Sequence, residues 1–220
     1  MGQNSYGIRF GSSAAPGMQL STVDGNIDIV GVATPSSSSN SAGIGFTYNT
    51  SIVSTGDGNV TLTGTGGSGG TSVDISSNSS SPAPNTVVSL ASGALSLIAN
   101  TIDFVNSTSF TANSITIKPR TEPTSIGISG GTCGSACTLK LTDTVLGMLH
   151  ANDTLIIGDS ADAAGLVDIN GWDFSNKTYD VAIYGGTVDL TGGPITWNGG
   201  NDLTLYTRAG NFVIDQDLTR

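Results

Sequence analysis

Short runs in which an apolar residue alternates with Thr, Ser or Asp recur from one end of the chain to the other, each closed by Gly, Asn, Asp or Ser. Examples are Ile27-Asp28-Ile29-Val30-Gly31, Val60-Thr61-Leu62-Thr63-Gly64, Val73-Asp74-Ile75 and Leu95-Ser96-Leu97. The pattern continues through Ile115-Thr116-Ile117, Leu139-Lys140-Leu141, Leu155-Ile156-Ile157, Val167-Asp168-Ile169, Val181-Ala182-Ile183, Val188-Asp189-Leu190 and Leu203-Thr204-Leu205. A period of two puts the apolar residues on one face of an extended strand and the polar ones on the other. A chain built this way has to fold as many short strands that each bury one face.

Composition points the same way. Gly, Ser and Thr (31, 29 and 28 residues) fill 88 of 220 positions, Glu122 is the only glutamate, and Lys118, Lys140 and Lys177 are the only lysines. Helices draw on Ala, Leu, Glu, Lys, Gln and Arg, so a helical protein is excluded. Disorder is excluded too, because 37% of the residues are hydrophobic and the Val, Ile and Leu among them alternate. Seven basic residues under a net charge of −10 argue against nucleic acid or an anionic membrane as a partner. No apolar run approaches the roughly 20 residues of a membrane span.

Short strands at quasi-regular spacing suit a sandwich, a barrel or a solenoid. The solenoid is expected here. The alternating unit recurs more often than the about seven to nine strands of a sandwich require, Asn-Gly hairpin dipeptides occur only at Asn170-Gly171 and Asn198-Gly199 while most connections are loose Gly/Ser/Thr runs, and strand interiors carry few aromatics. Stacked coils fill a narrow interior with aliphatic columns and pair each strand with those above and below. We expect a single all-β solenoid segment over 1–220, of roughly ten coils, with looser stretches near 36–39 and 76–85. The start Met1-Gly2-Gln3-Asn4-Ser5-Tyr6 lacks a signal-peptide pattern. The expectation is an internal fragment of a longer chain, or a mature form.

One segment departs from the alternation. Apolar residues at 145, 146, 148 and 149 have helical spacing. A helix of one or two turns is expected near 143–150, N-capped by Thr142 or Asp143 and stopped by Asn152. Around it, Leu139-Lys140-Leu141-Thr142-Asp143-Thr144-Val145-Leu146, then Asn152-Asp153-Thr154-Leu155-Ile156-Ile157-Gly158-Asp159, then Gly165-Leu166-Val167-Asp168-Ile169 resembles a module of filamentous-haemagglutinin-type exoproteins. In that family a strand leads into a short helix, followed by a T-L-x-I-G strand and a G-x-(I/V)-x-(I/V) strand. Val145, where the family often carries Glu, and Gly147 depart from the pattern. The resemblance is best over 95–215. It implies a right-handed parallel β-helix and a secreted or surface-exposed adhesin segment acting as a stalk or display scaffold. Host or neighbouring-cell glycans or proteins are then the expected partners. A structural filament associating end to end is the alternative, and a β-helix polysaccharide lyase or hydrolase a weaker one.

Candidate chemistry is sparse, and no enzyme, cofactor or metal site is expected. Cys133 and Cys137 are the only cysteines; a loop-stapling disulfide is the leading reading, with a reactive pair or two idle thiols as alternatives. His150 is the sole histidine, and its position near the helix end suits a charged imidazole on the macrodipole better than catalysis. The aspartates, including Asp28, Asp74, Asp168 and Asp189 on strands and Asp57, Asp159 and Asp162 in turns, read as solubilising surface groups. They match neither a calcium nonapeptide repeat nor an EF-hand. Six Asn-x-Ser/Thr sequons (Asn49, Asn59, Asn78, Asn106, Asn152, Asn176) are no excess for this composition. Trp172, Trp197 and Tyr184 are the candidates for stacking on a glycan, with core or edge packing as the competing reading. The Thr61-x-Thr63-x-Thr65 run would serve ice binding only if repeated on successive coils.

Overall fold

A computed structural model describes residues 5–11, 17–34, 41–68, 72–77, 86–105, 107–134, 137–161, 165–208 and 210–220. Residues 36–39 and 78–85, the sequons at Asn78 and Asn106, and Asp162 lie outside them. Three strands open the chain, β1 (Tyr6–Phe10), β2 (Met18–Thr22) and β3 (Ile27–Val32). Two further sets of three follow: β4 (Ala42–Phe46), β5 (Thr50–Ser54) and β6 (Val60–Thr65), then β7 (Val73–Ser77), β8 (Thr86–Leu90) and β9 (Ala94–Ile98). After them come β10 (Ile102–Phe104), β11 (Thr108–Lys118), β12 (Ile126–Ile128), β13 (Leu139–Leu141), the helix α1 (Asp143–Gly147) and β14 (Leu149–Ile157). The chain continues with β15 (Leu166–Phe174), β16 (Asp180–Gly185), β17 (Thr187–Trp197), β18 (Leu203–Thr207), β19 (Phe212–Ile214) and β20 (Leu218–Thr219). Strands make up about 60% of the described residues, and α1 is the one helix among them.

Every pairing among the described strands is parallel, and in the first half each strand pairs with the one three places later. One sheet runs β1-β4-β7-β10, while β2 pairs β5 and β5 pairs β8, and β3 pairs β6 and β6 pairs β9. The last two series merge because β11 is long. Its first half pairs β8 and its second half pairs β9, with a register shift between Ala112 and Ser114 where β14 lies alongside. A third sheet runs β13-β12-β15-β17-β19. Hairpins are not used: Asn170-Gly171 lies inside β15, where Gly171 takes φ +73° at a register shift against β17. All-parallel pairing excludes the antiparallel sandwich.

The alternation becomes columns. Ile27, Val60, Leu95, Ile115, Leu155, Val181 and Leu203 stand in register on successive strands, and so do Ile29, Leu62, Leu97, Ile117, Ile157, Ile183 and Leu205. Their central members are fully buried. Outward from the same strands stand Asp28, Thr61, Ser96, Thr116, Ile156, Ala182 and Thr204. Thr63 is in register with Val30 and Ile98, and Thr65 with Val32, so the threonine ladder is not continued. A third interior column, Leu20, Ile52, Val88, Phe110 and Leu149, belongs to the series that starts with β2.

Strand β4 shows why the pattern weakens locally. All five of its residues are buried, with Gly43 and Gly45 between Ala42, Ile44 and Phe46. A Cβ at Gly43 would collide with the backbone of Thr65, Asp74 and Gly31, so glycine is what lets the β1-β4-β7 sheet approach β3 and β6 closely.

The columns stop at exposed rows. Phe212, Ile214 and Leu218 follow Val188, Leu190 and Ile195 in register and are 40%, 45% and 42% exposed, with no further described strand over them.

Candidate functional site

The one helix organises the most irregular surface of the chain. Thr142 caps α1, its hydroxyl accepting from the Val145 N–H at 3.3 Å. Val145 and Leu146 turn into the core, and the helix closes at Gly147 with Met148 as its C-cap. Asn152 does not stop it. The chain is already extended from Leu149 onwards, because Leu149 and Ala151 are held inward in register with Phe110 and Ala112, and Asn152 falls at the register shift that follows.

On one flank α1 borders a groove of about 390 Å³ shared with the turn after β15. Asp143, Leu146 and Gly147 form one wall, and Gly171, Trp172, Asp173, Asn176 and Lys177 the other. Ser129, in left-handed backbone at φ 51°, donates its hydroxyl to Asp143 Oδ1 at 2.5 Å. Asp173 Oδ1 accepts the Ser175 N–H at 2.9 Å, and these bonds from Ser175 hold the Asp173 carboxyl below the usual carboxylate range. Partial burial lowers the pKa of Lys177. On the other flank a groove of about 480 Å³ reaches Thr108, Ser109 and His150. His150 belongs to β14 rather than to the helix end. Desolvation, and then the Lys177 charge, lower its pKa, so its surroundings favour neutral imidazole and not the charged form expected of a helix terminus.

Cys133 and Cys137 are joined, S–S 2.04 Å and Cα–Cα 5.1 Å. The loop they close is tied to β15 by Asp168, whose Oδ2 accepts the Thr132 N–H at 2.7 Å and the Cys133 N–H at 2.5 Å. The two sulfurs and Asp168 lie within 4.8 Å of one another, but disulfide sulfurs have no thiolate to offer a metal. Asp168 is 8% exposed and Asp74 6%, so neither is the solubilising surface group expected. Asp74 accepts the Gly66 N–H through Oδ1 and the Asn100 N–H through Oδ2, each at 2.6 Å, and so fastens two turns to β7. Burial is tolerable because strong donors surround each carboxylate. Asp28 is exposed as expected, while Asp189 is half-buried.

The aromatic candidates do not form one surface. Trp172 is 6% exposed, pointing inward with its ring 4.6 Å from that of Phe174, and cannot present a face to a sugar. Trp197 is half-buried against the core and stacks on Phe174 at 6.5 Å. Tyr184 is on β16, in the other sheet, and pairs with Tyr206 at 5.7 Å. The two carboxylates that bind backbone are read from sequence only as surface groups, and Asn26 and Asn59 carry no structural expectation there. Asn59 Oδ1 accepts the Ala94 N–H, and Asn26 Oδ1 accepts from Asn59. A signal for the last was present: Ser21-Thr22-Val23-Asp24-Gly25-Asn26-Ile27 repeats as Ser54-Thr55-Gly56-Asp57-Gly58-Asn59-Val60.

No helix among the described residues is long and apolar enough to cross a membrane. No protein-family model, no curated protein and no solved structure matches the chain.

Proposed function

We propose that the chain is a right-handed parallel β-helix serving as a rigid stalk or display scaffold in a secreted or surface-exposed bacterial adhesin. The observation that carries this reading is the pair of aliphatic columns from Ile27 to Leu203 and from Ile29 to Leu205, unbroken through seven strands. Such columns suit a rod whose stiffness comes from repetition. Parallel strands joined by crossovers in one sheet are right-handed in nearly all proteins, which supports the hand. Taken as turns of a helix, β1–β3, β4–β6 and β7–β9 are the first three. Long strands spanning two faces make the later turns, about seven in all with part of an eighth.

Other features agree. The order β13, α1, β14, β15 follows the strand, helix, strand, strand order of the exoprotein module. A disulfide suits an oxidising, extracellular location. The two carboxylates nearest each other in register, Asp168 and Asp189, do not read as an acid–base pair, since Asp168 is committed to backbone N–H groups. The test is adhesion. Beads coated with the chain should attach to cell or glycan surfaces, either directly or when a binding region is fused to it, without releasing sugar fragments from polysaccharides. Release of fragments would replace the scaffold with an enzyme.

Exposed apolar residues on the edge strands β3 and β19, Val30, Val32, Phe212 and Ile214, favour one second reading, a filament subunit that associates through strand edges. An uncovered strand edge above an apolar row invites another strand. Lysines at Phe212 and Ile214, or at Val30 and Val32, should then abolish concentration-dependent association. Association that ignores them would remove this reading.

A further inference from the structure

We propose that Tyr184 and Tyr206 form an oxidative modification site, a dityrosine cross-link that ties the edge strand β18 covalently to β16. The two stand in register on neighbouring parallel strands, one place beyond the inward pair Ile183 and Leu205, and so both face outward. Their ring centroids are 5.7 Å apart and the rings are tilted by 55°. Of the ring pairs among the described residues, it is the only one between two tyrosines. Tyr206 is 45% exposed and Tyr184 half-buried, so an oxidant in solution reaches the pair. Tyr179, by contrast, is enclosed in the core.

The chemistry asks nothing of the chain beyond the two phenols. The oxidant is a peroxide acting through a peroxidase, which takes one electron and one proton from each phenol. The two phenoxyl radicals join through ring carbons ortho to oxygen. The hydrogens on those carbons then move to the oxygens as the rings regain aromaticity. In sum, two phenols and one hydrogen peroxide give one biaryl and two waters. Paired strands hold the two rings together, so coupling within one chain outruns coupling between chains. The bond has a structural use. Among the described strands β18 pairs only with β16, and a strand held on one side is among the first to open.

The inference goes beyond the scaffold and filament readings and rests on neither. The test treats the whole chain, in dilute solution, with a haem peroxidase and hydrogen peroxide. Dityrosine fluorescence should appear on a chain that remains monomeric in a denaturing gel. Cleavage before aspartate releases 180–188 and 202–214 as separate peptides from the untreated chain; from the treated chain they should emerge joined, lighter by two hydrogens. Tyr184→Phe and Tyr206→Phe keep the ring and remove the phenol, so each should abolish both signals with the fold intact. Tyr6→Phe should leave them unchanged. Amide hydrogen exchange over Leu203–Thr207 should slow in the cross-linked chain. The inference is overturned if fluorescence arises only in multimers, if the two peptides stay separate, if either Phe variant at 184 or 206 still yields the monomeric product, or if exchange over β18 does not slow.

Discussion

Asp168 and Asp189 stand side by side on neighbouring parallel strands, yet only Asp168 is supplied with donors. Asp189 Oδ1 is buried with no hydrogen-bond partner among the described residues. Desolvation, then the charges of Asp168 and Asp215, raise the Asp189 pKa above its ordinary 3.8. A carboxyl whose pKa is raised by folding favours the fold while protonated, and that contribution is lost as pH rises through the raised value. Asp189→Asn should therefore leave the chain as stable or up to about 1 kcal/mol more stable at neutral pH. The difference should shrink as pH falls through the carboxylate range. Urea denaturation at neutral and acid pH measures it; a loss above about 1 kcal/mol at neutral pH would refute the account.

A second polar group sits inside. Thr50, Thr86 and Thr108 are in register and buried. The Thr50 hydroxyl donates to the Tyr48 carbonyl at 2.8 Å and that of Thr108 to Ser77 at 2.6 Å, while Thr86 Oγ1 has no partner among the described residues. Replacing an unsatisfied buried hydroxyl by a methyl of the same shape removes a desolvation cost. Thr86→Val should stabilise by about 1 kcal/mol, seen as a higher urea midpoint at unchanged slope. The same change at Thr108 should destabilise, because Ser77 loses a partner.

Ile183 tests the columns. It is fully buried between Ile157 and Leu205. Ile183→Ala should cost about 2–5 kcal/mol, and Ile183→Asp enough to prevent folding. Thr204→Ala, on an outward column, should stay within about 0.5 kcal/mol. Equal stability of the two alanine variants would show that the faces are wrongly assigned.

The disulfide loop offers a contrast. Cys133 and Cys137 are four residues apart, so cross-linking removes little entropy from the unfolded chain, about 2 kcal/mol. Reduction should leave the β circular dichroism spectrum in place. Asp168→Ala strips the acceptor from two backbone N–H groups and should cost about 1.5–3 kcal/mol. If reduction unfolds the chain and Asp168→Ala does not, the bridge and not the carboxylate anchors this loop.

How much of this was legible depended on whether one residue or several decided it. Alternation alone placed Ile183 and Leu190 inside, because a strand's two faces follow from its own residues. It could not place Asp74 or Asp168, whose burial depends on N–H groups that arrive from Gly66, Asn100, Thr132 and Cys133 on other turns. For Trp172 the sequence leaves two readings open, stacking on a glycan and core packing, and its burial favours the second. Trp172 and Phe174 lie two apart on β15 and share its inward face, which the register shift at Asn170 keeps from being read off the preceding run. Strand β4, with glycines in place of outward polar residues, carries no alternation to read. The groove was out of reach, since Ser129, Asp143 and Lys177 meet only after the chain has passed the helix and two strands.

The register has a consequence for how such a chain changes over generations. Paired residues are 20 apart at Leu95 and Ile115 but 41 apart at Ile126 and Val167, while the ladders remain aligned on both sides. Connections can therefore lengthen or shorten without disturbing their neighbours. A whole turn accepts beneath it the same aliphatic row that it offers above. On the proposed β-helix, a gene of this kind can duplicate or delete one complete turn and encode a longer or shorter rod at once, leaving the loops at its corners free to diverge.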